Sequence, residues 1–188
     1  PASEARARQL LTQAGVDFAA IRFIAIDYDD TWLRDSGPIT LLDGNDNAHF
    51  LDFRFTGWGG KFEAGRDDAL VSELAARGIL RAEAVERIDF ALEGGAIETD
   101  GHGTLLSTWR CLAERHGEDA RERVDTVLRQ TLRQHRILWL EHGYLEGDDT
   151  DAHIDTLARF APDDAIVFQA CDDASDSHYA ELKAMALL

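Results

Sequence analysis

Pro38-Ile39-Thr40-Leu41-Leu42-Asp43-Gly44-Asn45-Asp46-Asn47-Ala48-His49-Phe50-Leu51-Asp52-Phe53 is two apolar-rich runs joined by an Asp-Gly turn signal, the pattern of a β-hairpin. The pattern returns twice. Ala96 to Thr99 and Thr104 to Ser107 flank Asp100-Gly101-His102-Gly103, and Ile154 to Phe160 and Ala165 to Phe168 flank Pro162-Asp163-Asp164. The turns begin at residues 43, 100 and 162, a period of about 57 to 62 residues that suits one supersecondary unit per repeat. A helix pattern follows each hairpin: Asp67 to Ala76, stopped by Gly78; Glu118 to Gln134, with Val124, Val127, Leu128, Thr131 and Leu132 at helical spacing; and one from near Ser177, with Tyr179, Leu182 and Met185 on one face. Extended runs at Val85 to Phe90 and Arg136 to Leu140 link each helix to the next hairpin, and Ile21 to Ile26 holds the same place ahead of the first. The expected fold class is α/β, built from repeats.

Each hairpin is preceded by residues able to do chemistry. These stretches are Trp32-Leu33-Arg34-Asp35-Ser36-Gly37-Pro38, Leu92-Glu93-Gly94-Gly95 and Gly147-Asp148-Asp149-Thr150-Asp151-Ala152-His153-Ile154-Asp155. His153 and Asp155 are two apart, so on a strand they point to one face. If the units stack about an axis, equivalent strand starts converge, and Asp35, Glu93, His153 and Asp155 meet there despite their separation in sequence. So many acids around one imidazole are costly unless a cation or a reaction uses them.

Bulk properties narrow the partners. A chain of 188 residues, 45% hydrophobic, can bury a sizeable core as one domain or part of one. Its net charge of -17 argues against nucleic acid and anionic membranes and is compatible with a cationic substrate. No apolar run approaches a membrane span, and Ser3 to Thr12 reads as an amphipathic helix rather than a signal peptide, so a cytoplasmic location is expected. Cys111 and Cys171 are too few for a disulfide framework. The chain begins at Pro1 and ends at Leu188 without a cap, and it is expected to be cut at both ends.

Four motifs in order, Asp30-Thr31-Trp32-x-Arg34-Asp35-x-Gly37-Pro38, Trp58-Gly59-Gly60-Lys61, Leu92-Glu93-Gly94-Gly95-x-Ile97-x-Thr99-Asp100-Gly101-x-Gly103-Thr104-Leu105-Leu106 and Asp149-Thr150-Asp151-x-His153-Ile154-Asp155, resemble the agmatine deiminases and the related bacterial (Porphyromonas-type) peptidylarginine deiminases of the guanidine-modifying superfamily. The resemblance runs over residues 21 to 188. It implies a pentein fold, a five-bladed α/β propeller of ββαβ units, of which this chain would cover roughly three as a single incomplete catalytic domain. It also implies hydrolysis of agmatine to N-carbamoylputrescine and ammonia, a step toward putrescine, with no metal or organic cofactor.

A guanidinium is flat and always charged, so attack on its carbon calls for carboxylates that clamp its N–H groups in pairs. By resemblance Asp35 and Asp155 are that clamp, Glu93 is a third catalytic acid facing the same cation, and His153 is the general acid and base. Trp32 flanks the substrate, and Asp149 falls where agmatine-specific members hold the distal ammonium. The family's nucleophile is a cysteine in a Gly-rich motif one repeat further on; Cys111 and Cys171 match no such motif and read as buried structural thiols, so the chain alone is expected to be inactive.

The chain departs from the family at three places: Asp29 stands for an Asn, Ala152 for the Gly before the histidine, and Glu114-Arg115-His116-Gly117 replaces an Asn-Arg-Asn-Pro stretch. Alternatives are a peptidylarginine deiminase-like enzyme acting on another guanidino compound, and a guanidinium-binding fragment without turnover. A more remote one is a haloacid-dehalogenase-type Mg²⁺ phosphatase, built on Asp27-Tyr28-Asp29-Asp30-Thr31 with Asp148 and Asp149 as metal acids; no lysine lies in residues 62–148 to hold its phosphate. A metal reading of His153 with Asp151 and Asp155 lacks further nitrogen or sulfur ligands. Trp58 and Trp139 are expected in the core, Gly94 and Gly95 are expected to permit close approach, and Arg34 either orients Asp35 or neutralises the acids. A homo-oligomer is left open.

Overall fold

The computed structural model describes residues 2–187; Pro1 and Leu188 lie outside it. In chain order the elements are α1 (Ala2–Gln13), α2 (Leu33–Ser36), β1 (Ile39–Leu42), β2 (Ala48–Arg54), α3 (Gly57–Gly60), α4 (Gly65–Asp68), α5 (Leu70–Ala76), β3 (Val85–Ala91), β4 (Ile97–Thr99), β5 (Thr104–Thr108), α6 (Trp109–His116), α7 (Arg121–Leu132), β6 (Arg136–Leu140), α8 (Ile154–Leu157), β7 (Ala158–Ala161), β8 (Ala165–Phe168) and α9 (Tyr179–Met185). Three small sheets result, ordered β1-β2-β3, β4-β5-β6 and β7-β8. In the first two, an antiparallel hairpin receives a parallel third strand after a helical crossover. The third is a hairpin, β7 against β8.

The hairpin turns fold as their residues dictate. Asp43 Oδ1 accepts the N–H groups of Asn45 and Asn47, and Asp100 Oδ1 accepts those of His102 and Thr104, so in both turns an aspartate closes the loop through its own side chain. The third turn is the three-residue loop Pro162-Asp163-Asp164, with Asp163 and Asp164 at positive φ, a conformation aspartate tolerates. The first two hairpins and the extended runs at β3 and β6 therefore match the sequence reading, and the third matches from Ala158 onward, since Ile154–Leu157 is helical.

Helices α6 and α7 cover the first two sheets. Cys111 and Leu112 of α6 and Val124, Leu128 and Leu132 of α7 pack with Leu51, Phe53, Phe90, Ile97, Leu105 and Ile137 of the strands into one core. A second cluster joins Leu157, Leu182 and Met185 with Ala152, tying α9 beneath the loop that leads into α8. Among the described residues no helix is long and apolar enough to cross a membrane.

Three expectations are corrected and one helix is added. Residues 21–26 form no strand among the described residues. The helix over 67–76 is two pieces broken at Ala69, because its first acids serve other segments: Asp67 accepts the N–H groups of Asp29 and Asp30, and Asp68 that of Phe55. Helix α6 was not anticipated, although Trp109, Leu112, Ala113 and His116 have helical spacing. His153 and Asp155 are not on a strand; His153 caps the single-turn helix α8, whose Thr156 donates its N–H and hydroxyl back to His153 O.

Leu128 is fully buried at the centre of α7, whereas Val167 of β8 is 65% exposed. Leu128→Ala is therefore expected to cost about 2–5 kcal/mol and Val167→Ala less than about 0.5 kcal/mol, measured by urea unfolding; equal costs would show that α7 does not carry the core.

Candidate active site

Gly95 is where the segments meet. A Cβ built on it would stand 2.5 Å from His153 Nδ1, 2.6 Å from Asp35 Oδ1 and 2.9 Å from Asp155 Oδ2, so three reactive groups from two distant segments converge on the space a side chain would fill. Gly94 is as restricted, since its Cβ would lie 2.1 Å from the carbonyl oxygen of Arg34. The paired glycines let the turn after Glu93 press against α2 on one side and the start of α8 on the other. Asp35, His153 and Asp155 are thus brought together.

Asp35 is held rigidly. Its Oδ1 accepts the Gly95 N–H and its Oδ2 the Trp58 indole N–H, both at 3.0 Å. Trp58 reaches it from α3, where Gly57, Trp58, Gly59 and Gly60 are all left-handed. A tryptophan in that conformation costs about 1–2 kcal/mol; burial of its ring and edge-on contacts with Phe55 and Phe62 offset it. Trp58 is in the core, as expected, and it also orients Asp35.

Glu93 sits deeper than a residue facing a ligand would. Its side chain is fully buried, and Oε1 accepts from Arg115 Nε at 2.8 Å while Oε2 lies 3.8 Å from His153 Nε2. His153 Nδ1 in turn lies 3.7 Å from Asp35 Oδ1, so the imidazole is flanked by a carboxylate on each side. Burial pushes the Glu93 carboxyl up, but His153 and the Arg115 charge more than reverse this and hold it below the ordinary carboxylate range. For Asp155 burial wins: its carboxyl is pushed up, Asp35 adds to the rise, and His153, Arg34 and Arg159 only partly oppose it.

The loop before His153 is closely tied. Asp148 accepts from Thr150 N and Oγ1 and from Ala152 N, and Thr108 Oγ1 donates to Ala152 O at 2.6 Å. Asp151 and Ala152 have φ of 64° and 71°, so Ala152 fills a left-handed position that glycine would occupy without strain. Asp151 pairs with Lys61 and Arg115, each at 2.6 Å, and Lys61 Nζ also donates to Asp149 O. Burial would raise the Asp151 carboxyl, but Lys61 and Arg115 hold it low.

A cavity of about 460 Å³ opens over this constellation, lined among others by Trp32, Arg34, Asp35, Trp58, Asp149, His153 and Asp155. Trp32 is 60% exposed beside it. Arg34 donates to Ile97 O and lies near Asp155, so it braces the wall rather than orienting Asp35. Asp149 and Asp155 form no side-chain hydrogen bond or ion pair among the described residues, whereas Asp148 and Asp151 are fully engaged.

Glu93, Cys111 and His153 bring three potential metal-ligand atoms within 4.8 Å of one another. Arg115 already occupies Glu93, and burial, with Glu93 next, pushes the Cys111 thiol well above its usual range, so the trio forms the packed rear of the site. Cys111 is buried as expected; Cys171 is only partly so. Two acids of the phosphatase reading are engaged elsewhere: Asp29 receives the Arg66 N–H and Asp148 is consumed within its own loop. Arg115 and the indole of Trp58 are the residues that motif reasoning did not place.

The model of the Porphyromonas-type peptidyl-arginine deiminase family matches residues 1–187. An agmatine deiminase of Stutzerimonas stutzeri (strain A1501) is 38% identical over 185 residues, covering 95% of this chain and 50% of that protein. One from Ectopseudomonas mendocina (strain ymp) is 35% identical, covering 92% and 48%. Among solved structures, a cysteine-to-serine variant of C. jejuni agmatine deiminase with substrate bound superposes with a TM-score of 0.84 at 37% identity, over 94% of this chain and 53% of that one. The chain belongs to the Porphyromonas-type peptidyl-arginine deiminase family, and its mixed α/β fold of small sheets matches these deiminases. It spans about half the length of the curated relatives it matches.

Trp58→Phe keeps the aromatic packing but leaves Asp35 Oδ2 without its donor. The expected cost is about 1–3 kcal/mol, read by chemical unfolding; an unchanged stability would mean that water replaces the indole N–H.

Proposed function

We propose that this chain supplies the substrate clamp, proton relay and recognition loop of a guanidine hydrolase that converts agmatine and water to N-carbamoylputrescine and ammonia. One observation carries the reading: Asp35, Asp155 and His153 converge at Gly95 beneath a cavity that also bears the unpaired Asp149. Family membership and the agmatine deiminase relatives support it.

The roles follow from the chemistry of a planar cation. Asp35, pre-aligned by Gly95 and Trp58, and Asp155 accept the guanidinium N–H groups and fix the carbon for attack. His153 gives a proton to the departing ammonia and later takes one from the hydrolytic water. Glu93 acts through His153, its Oε2 standing 3.8 Å behind the imidazole Nε2. Trp32 offers a ring face to the cation, and Asp149 receives the distal ammonium. In the reaction implied by the resemblance, a cysteine thiolate attacks the carbon and forms an amidino-thioester that water hydrolyses. Cys111 is sealed behind Glu93 and Cys171 faces the backbone of Asp173, so the thiolate is neither of these. The reading needs no metal or organic cofactor.

Two sheets in which a hairpin is followed by a parallel strand, and a third hairpin, are what roughly three blades of a five-bladed pentein propeller would present, and we read the sheets that way. Agmatine is favoured over a peptidyl-arginine because a free amine rewards the unpaired Asp149 carboxylate and an arginine within a peptide offers it no positive charge.

Ammonia release from agmatine by the full-length protein tests the reading, and its absence with every guanidino compound would refute it. Asp149→Ala should raise KM for agmatine about tenfold, the effect of one contact of ~1.4 kcal/mol, and leave KM for simple alkylguanidines nearly unchanged; equal effects would remove Asp149 from recognition. His153→Ala should lower kcat by about 10²–10⁴ while calorimetry still detects agmatine binding.

A further inference from the structure

Helix α6 ends in a buried cation. Arg115 has a side chain only 1% exposed, and its guanidinium is spread over three partners: Nε donates to Glu93 Oε1 at 2.8 Å, Nη1 to Asp151 Oδ2 at 2.6 Å and Nη2 to Thr150 O at 3.1 Å. A sealed guanidinium persists only where its donors are answered. These partners lie on both sides of the chemistry. Glu93 is the carboxylate behind His153, and Thr150 and Asp151 connect Asp149 to His153.

The neighbouring turn is shaped to admit it. At Gly59, with φ of 82°, a Cβ would stand 3.1 Å from Arg115 Nη1, so the left-handed α3 leaves room for the guanidinium while directing Trp58 to Asp35 and Lys61 to Asp149 O and Asp151. Lys61 is exposed and Arg115 is not, so the buried half of the loop's anchorage is Arg115 alone.

We propose that Arg115 is a positioning residue that couples proton transfer at His153 to substrate recognition by Asp149, one guanidinium fixing both Glu93 and the loop of residues 149–153. This rests on the guanidine-hydrolase reading above and adds to it a link between the two ends of the substrate. The groups facing Glu93 are Arg115, His116 and the Cys111 thiol from α6, and His153 at the start of α8. With Arg115 removed, burial acts on Glu93 with mainly His153 to oppose it, and the carboxyl rises. Asp151 loses its buried partner at the same time.

The test compares Arg115→Met, Arg115→Lys and Asp151→Asn in the full-length protein. Arg115→Met should lower kcat by about 100-fold, raise KM for agmatine, and move the acid limb of kcat/KM upward by about one pH unit. Arg115→Lys keeps the charge without the fork, so the acid limb should return toward wild type while KM stays raised. Asp151→Asn should raise KM and leave the acid limb in place.

A second readout needs no substrate. In the wild type, Glu93 and Asp151 are held below their unfolded values of 4.5 and 3.8, so the stability they contribute is complete above those values and is lost as pH falls through the native ones. In Arg115→Met the raised Glu93 carboxyl costs stability above its own titration, so the Tm gap to wild type should narrow on acidification from pH 7 to pH 4.5. A gap constant with pH together with an unmoved acid limb overturns the proposal and leaves Arg115 as packing. If Arg115→Met does not fold, the same readouts on Arg115→Lys and Asp151→Asn decide it: an unchanged KM in both overturns it. A wild type without turnover refutes the hydrolase reading, and the Tm gap still decides whether Arg115 sets the Glu93 charge.

Discussion

A carboxylate with no exposure to water has to be answered by a cation, and that requirement at Glu93 organises the structure around it. Arg115 answers it from α6, so α6 must end beneath the turn at Gly94–Ala96. The guanidinium has more donors than one carboxylate can use, and the loop of residues 150–151 takes the others. Removing one member of such a buried pair costs about 3–5 kcal/mol, chiefly because the other charge is stranded. The positions of α6, the third-hairpin loop and His153 are therefore one decision made by one ion pair.

Close approach is the second constraint. Gly94 and Gly95 bring the α2 carboxylate and the α8 imidazole together because neither has a Cβ, and the left-handed residues at 57–60 and 151–152 turn the chain sharply enough to direct side chains inward. Trp58, Asp151 and Ala152 are the left-handed non-glycine residues beside the cavity. Packing of α6 and α7 on the strands supplies the stability that holds the strained turns in place.

The hairpins were legible because each turn carries its own chemistry, Asp with Gly in the first two and Pro with two Asp in the third, and α7 because its apolar spacing is long enough to have a period. Asp35, His153 and Asp155 could be named because they lie in motifs, and the structure brings all three to one point. Short elements escaped: α8 has four residues, too few for periodicity to separate it from the strand that follows. Residues 21–26 have a strand's composition but form no ladder, since pairing is decided by what lies alongside and not by the segment. Arg115 was invisible for a related reason. An arginine in a helix is ordinarily a solvated residue, and only the depth of Glu93 and the room that Gly59 leaves for the guanidinium make this one a buried bridge.

The net charge of -17 does not by itself make a site for a cation, because most acids in the recognition loop are already spent. Asp148 is consumed by Thr150 and Ala152, and Asp151 by Lys61 and Arg115. Of the loop's acids, those left facing the cavity are Asp155, pushed up by burial and by Asp35, and Asp149, whose carboxylate no described side chain engages. In the free site Asp35 adds to the cost of ionising Asp155, and a planar cation between them would remove it. A guanidinium with a second positive charge at the far end answers both remaining demands, whereas a neutral amide would leave two carboxylates desolvated and unpaired. The selectivity therefore comes from which acids the fold leaves unsatisfied, more than from how many it carries.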